Sequence, residues 1–107
     1  MLLALMWGGT EQWTTISNIG AGGQTNTDLV NYETRTNMIN TIIRELIENN
    51  LNGAIIEFNE VSNTHAFERF LIELTPRLRE IGILTGVHLT QNIDDTNIRK
   101  TVDFIAN

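Results

Sequence analysis

An α/β fold of three consecutive βα units with parallel strands is predicted by three features of the 107-residue sequence. Short apolar runs of strand length recur at residues 2–7, 54–58 and 83–89. Each is followed by a longer segment with helical periodicity, at residues 33–50, 63–81 and 94–106. The resulting order βαβαβα implies parallel strands joined by right-handed crossovers.

The first run, within "MLLALMW", lacks the basic flank and length of a secretory signal and reads as a strand. Residues 8–28 are rich in Gly, Thr, Asn and Gln and read as a loop, unusually long for a compact domain. Over residues 33–50, Met38, Ile39, Ile42, Ile43, Leu46 and Ile47 recur at helical spacing. Arg35, Asn40, Arg44 and Glu48 are left on the opposite face. "NNLNG" then ends the helix, since Asn and Gly tolerate the left-handed backbone of a C-terminal cap.

Residues 54–58 form a continuous apolar strand, as expected where both faces are covered. The helix over 63–81 has Phe67, Phe70, Leu71, Leu74 and Leu78 as its stripe. Pro76 inside it predicts a kink or break near Thr75. After the strand at 83–89, a helix over 94–106 presents Ile98, Val102 and Ile105, with Asp94 and Asp95 favourably placed at its N-terminus.

Composition narrows the function. With 41% hydrophobic and 19% charged residues, the chain has ordinary globular make-up and room for one domain. A net charge of -6 with scattered Lys and Arg excludes a nucleic-acid surface, which needs clustered cations. Cysteine is absent and the two histidines lie far apart, so no metal and no cofactor is expected. No segment approaches the roughly 20 apolar residues of a membrane span, and no membrane partner is expected.

Parallel α/β folds place their sites at the carboxyl ends of the strands. That points to residues 7–9, 57–60 and 88–91. Alternation along the strand at 54–58 turns Ala54, Ile56 and Phe58 to the helices and Ile55, Glu57 and Asn59 to the other side. In the strand at 83–89, the same register groups Leu84, Gly86, His88 and Thr90.

Two stretches, "TNMINTIIRELIENNLNGAIIEFNEV" and "FERFLIELTPRLREIGILTGVHLT", resemble the middle of glycoside hydrolase family 18. The likeness is to the branch with spore cortex-lytic and peptidoglycan N-acetylglucosaminidases, and it covers most of residues 35–90. It implies part of a TIM (β/α)8 barrel acting on N-acetylglucosamine polymers. The family's fourth strand carries D-G-x-D-x-D-x-E, whose last Glu is the general acid and whose preceding Asp orients the substrate acetamido group. Here Asn52 and Gly53 match the opening pair, Ile55 the next acid, Glu57 the last Asp and Asn59 the catalytic Glu. Only the glycine is kept. "LMWGG" resembles the S-x-G-G end of the third strand, with Met6 at the Ser position.

Because an asparagine amide cannot protonate a glycosidic oxygen as a carboxylic acid does, the resemblance implies a catalytically impaired segment with a carbohydrate-binding or structural role. Two alternatives stand beside it: a hydrolase of N-acetylglucosamine-containing glycans using Glu57 and Glu60, with a bulge turning Glu60 inward, and an assembly module without a ligand. Trp7 and Trp13 are candidates for stacking on sugar rings, Trp13 the better one because it sits in the polar segment. Asn59 and His88 complete the candidate binding set.

Plainer roles are available for each residue. Glu57 suits a structural ion pair, Asn59 and Glu60 a solvated loop, His88 a hydrogen-bonded interior position and His65 a helix start. The glycines at 20–23 do not open a helix directly after a strand, so they do not make a phosphate loop. A complete barrel takes about 250 residues, so the sheet is expected to be completed by self-association or by the remainder of a longer barrel.

Overall fold

The computed structural model describes residues 12–18 and 24–106. Its strands are β1 (Trp13–Ser17), β2 (Gly53–Glu57), β3 (Leu84–His88) and β4 (Phe104–Ala106). Between them lie α1 (Gln24–Val30) and α2 (Tyr32–Glu48), then α3 (Thr64–Glu80) and α4 (Thr96–Thr101). The strands form one sheet in the order β1-β2-β3-β4, every neighbouring pair parallel. This is the α/β arrangement that the apolar runs and helical periods predict.

Helices cover one face of this sheet. Ala54 and Ile56 of β2 and Val87 of β3 are fully buried against Ile39, Ile42 and Leu46 of α2 and Phe67, Phe70, Leu71, Leu74 and Leu78 of α3. Each large side chain removed from water here contributes about 1.5–3 kcal/mol, which makes this layer the main source of stability. Asn31 caps α2 by accepting from the Thr34 amide at 3.1 Å, and Asn63 caps α3 by accepting from Ala66 at 3.0 Å. Past the helix ends, Asn50 and Gly82 take left-handed backbone, at φ 54° and 79°.

Five expectations are corrected. The segment at 8–28 is not all loop, because β1 and α1 lie within it. Their polar sequences, "WTTIS" and "QTNTDLV", conceal a few inward residues such as Ile16, Thr25 and Leu29. The run at 2–7 lies outside the described residues, and the strand that pairs with β2 is β1. Pro76 does not break α3, which continues to Glu80. Pro76 and Ile72, four residues earlier, are both exposed, so water can satisfy the carbonyl that loses its helical donor. The helix at 94–106 is replaced by the short α4 and then β4, which takes Ile105 into the sheet. The described residues therefore hold four strands, two more than the apolar runs at 54–58 and 83–89 predict there.

The fifth correction concerns Arg35, which is buried instead of lying on a polar face. Its guanidinium donates to Glu73 at 2.7 and 3.1 Å and to the Leu29 carbonyl at 2.9 Å. Both charge and fork are thereby satisfied, and α1, α2 and α3 are tied together.

Candidate functional site

The face turned away from the helices is layered by the strand register. At the amino ends, Trp13 pairs with Gly53 and Gly53 with Leu84. One layer up lie Thr15, Ile55, Gly86 and Phe104. The carboxyl-end layer holds Ser17, Glu57, His88 and Ala106.

The two glycines have a packing role. The Trp13 ring lies over Gly53 and the Phe104 ring over Gly86, and the rings meet edge-on with centroids 5.4 Å apart. Large residues on the outer strands thus fill space that small ones on the inner strands leave open.

Glu57 and His88 meet in the carboxyl-end layer, with Oε2 and Nδ1 2.5 Å apart. Their side chains are 30% and 38% exposed, so the pair is open to an approaching ligand. Strand order sets Glu57 between Ser17 and His88. A serine nucleophile needs its histidine in hydrogen-bond reach, and this arrangement does not supply it. What the pair offers is an acceptor and an ionisable donor side by side. Among the described residues, no group of three or more His, Cys, Asp or Glu is placed to hold a metal ion.

Amide side chains fix the loop beyond β2. Asn18 accepts from the Asn59 amide at 2.7 Å and donates to the Asn59 carbonyl at 3.0 Å. Asn26 donates to the Glu60 carbonyl at 2.8 Å and accepts from the Ser62 amide at 3.0 Å. Gln91 accepts from the Val61 amide at 2.8 Å and donates to its carbonyl at 2.9 Å. Each carboxamide imitates a strand neighbour by offering one donor and one acceptor. Between these clamps Glu60 holds φ 57°, a left-handed backbone that costs a non-glycine residue about 1–2 kcal/mol.

Several sequence candidates can now be located. Asn59 and Glu60 are both exposed at the mouth, two and three residues beyond Glu57. His88 is brought to Glu57, while His65 stands in the first turn of α3, 95% exposed and 3.6 Å from Glu68. Trp13 is not in a loop: it opens β1 at the amino end, four residues from Ser17, which is the register partner of Glu57. At about 3.3 Å per residue that separation is roughly 13 Å. Trp7 and the "LMWGG" match lie outside the described residues. Sequence reasoning pointed to the region of Gln91 without its role and missed Asn18 and Asn26, whose only signal was the abundance of amides in the βα connections. A groove of about 570 Å³ runs along β1 and α2 past Thr14, Ile16, Ile42 and Leu46, away from the Glu57–His88 pair.

No family model matches the chain, and no curated protein matches it. Solved structures do. The spore cortex-lytic enzyme SleL of Bacillus cereus matches with a TM-score of 0.78 at 20% identity, over 90% of this chain and 25% of that one. This chain has the fold of part of a family 18 chitinase-like barrel. The Group IV chitinase of Ostrinia furnacalis, in complex with allosamidin, matches with a TM-score of 0.76 at 20% identity, over 89% of this chain and 30% of that one. The SleL enzyme of Bacillus megaterium gives 0.73 at 20% identity, over 87% and 26%. The chain thus spans about a quarter to a third of the length of these structures.

Proposed function

We propose that the chain is a carbohydrate-binding segment of a family 18-like barrel whose signature no longer supports ordinary glycosidic turnover. The observation that carries this reading is Asn59, exposed at the carboxyl mouth beyond Glu57 and held through its backbone by Asn18. Cleavage of a glycosidic bond needs a group that delivers a proton to the leaving oxygen, and a carboxamide does not do so. It does donate and accept hydrogen bonds, which is what recognition of hydroxyl and acetamido groups requires.

In this reading Glu57 accepts from sugar hydroxyl or N–H groups, His88 orients Glu57, and the Asn59 amide contacts the same ring. The ligand class is an N-acetylglucosamine-containing glycan. Support comes from the carboxyl-end location and from the chitinase neighbour that holds allosamidin. Hydrolysis by Glu57 with Glu60 is less well supported, because Glu60 is exposed and anchored through its carbonyl to Asn26.

Amide NMR of the labelled chain during titration with N-acetylglucosamine oligomers, with reducing ends assayed in parallel, tests this. Shifts centred on Glu57, His88 and Asn59 without new reducing ends are expected. New reducing ends would restore the hydrolase reading, and a dispersed spectrum that does not move would refute binding.

A further inference from the structure

On the outer side of α3, Arg69 and Arg77 are exposed, and among the described residues neither has an ion pair or a hydrogen bond. Glu73 lies four residues from each of them, the spacing at which helical ion pairs form. Both of its oxygens are taken instead by Arg35, at 2.7 and 3.1 Å. Glu68, the other acid bordering this surface, is turned to His65 at 3.6 Å and to Asn97 at 3.4 Å. The pairing that locks α2 to α3 thus leaves a local excess of positive charge on the outside of a chain whose net charge is -6.

Between these cations the surface is apolar. Two open grooves lie on either side of the Arg35–Glu73 pair, one of about 320 Å³ bordered by Val30, Arg69 and Ile72, the other of about 290 Å³ bordered by Tyr32 and Arg77. Val30, Tyr32 and Ile72 are 54%, 70% and 44% exposed. Large apolar side chains grouped at such exposure and rimmed by charge are the mark of an interaction surface.

We propose that these grooves dock an acidic segment of a partner protein, lying extended along α3 with one carboxylate on Arg69, another on Arg77 and an apolar side chain between them against Ile72 and Tyr32. This inference does not rest on the glycan reading. Spacing selects the form of the segment. Eight residues of helix advance about 12 Å, and four residues of extended chain advance about 13 Å. Alternate side chains of an extended segment share a face, so acids at its first and fifth positions meet α3 together with the residue at its third. The pattern this surface selects is acid-x-apolar-x-acid. Charge favours such a partner over a second copy of this chain, because two molecules of charge -6 repel each other.

Amide NMR of the labelled chain, titrated at low salt with the end-blocked peptide Glu-Ser-Leu-Ser-Glu, is the test. Shifts are expected at Val30, Tyr32, Arg69, Ile72 and Arg77 and not at Glu57 or His88, and they fade as salt is added. Arg69→Gln and Arg77→Gln are each expected to weaken binding about twofold to fivefold, the loss of one exposed ion pair. Arg44→Gln, exposed on α2 and outside both grooves, should leave it unchanged. Equal binding of Gln-Ser-Leu-Ser-Gln, or affinity indifferent to both arginine variants, would overturn the charge-selected partner. No shifts at all would overturn the docking site, and the same shifts on concentrating the chain without peptide would assign the face to a second copy.

Discussion

Adding a single methyl group to the inner face probes how tightly the outer-strand rings are seated. A Cβ on Gly53 would lie 2.2, 2.3 and 2.5 Å from three carbons of the Trp13 ring. Comfortable carbon contacts are about 3.5–4.0 Å, so the ring has to retreat by more than about 1 Å. Retreat disturbs the edge-on Trp13–Phe104 contact at 5.4 Å, an arrangement worth about 0.5–1.5 kcal/mol beyond area burial. Overpacking of this kind costs about 1–3 kcal/mol. Replacing glycine restricts the unfolded chain and returns about 0.4–1 kcal/mol. Gly53→Ala is therefore expected to lose about 1–2 kcal/mol, a fall of roughly 0.5–1 M in the urea midpoint at unchanged slope. In a Trp13→Ala background the same substitution should be neutral or stabilising, since the obstructing ring is gone. Wild-type stability for Gly53→Ala, or an equal loss in both backgrounds, would refute the packing described for this face.

Three further outcomes follow from local geometry. Glu60→Gly should stabilise the chain by about 1 kcal/mol by removing the left-handed penalty at φ 57°, as read by chemical denaturation; a loss would mean that the Glu60 side chain makes a stabilising contact. Asn26→Ala removes the bonds to the Glu60 carbonyl and the Ser62 amide, and is expected to cost about 1–2 kcal/mol while speeding amide exchange at Ser62. The Asp94 carboxyl is held below its ordinary range, first by the Thr96 amide and then by the Thr96 hydroxyl. Its folded form favours the charged state, so its contribution is present above the ordinary aspartate range and fades as pH falls below about 4. Carboxyl NMR titration should find a lowered Asp94 midpoint that rises in Thr96→Ala.

Elements whose cores are regular were legible in the sequence. The stripes Ile39, Ile42, Leu46 and Phe67, Phe70, Leu71, Leu74, Leu78 gave α2 and α3, and all of these residues are buried. β2 and β3 lie within one or two residues of the apolar runs that predict them. β1 escaped because Thr14, Thr15 and Ser17 leave it no apolar run. β4 escaped because Ile98, Val102 and Ile105 share a helical spacing, although the chain turns extended at Val102, whose ψ is 167°. Glu57 and His88 were each named from alternation, but their pairing depends on the β2–β3 register, a long-range property that no local pattern encodes. The amide clamps were invisible for the same reason, since Asn18 meets Asn59 across 41 residues of sequence.

Glycan recognition at the Glu57–His88 mouth is tested most directly by comparing the affinity of one N-acetylglucosamine oligomer for the wild-type chain and for Glu57→Gln by titration calorimetry. Losing a charge-assisted acceptor worth about 1.5–3 kcal/mol predicts binding weaker by about tenfold or more in Glu57→Gln, with the fold retained. Equal affinity for the two chains would contradict a ligand site at this mouth.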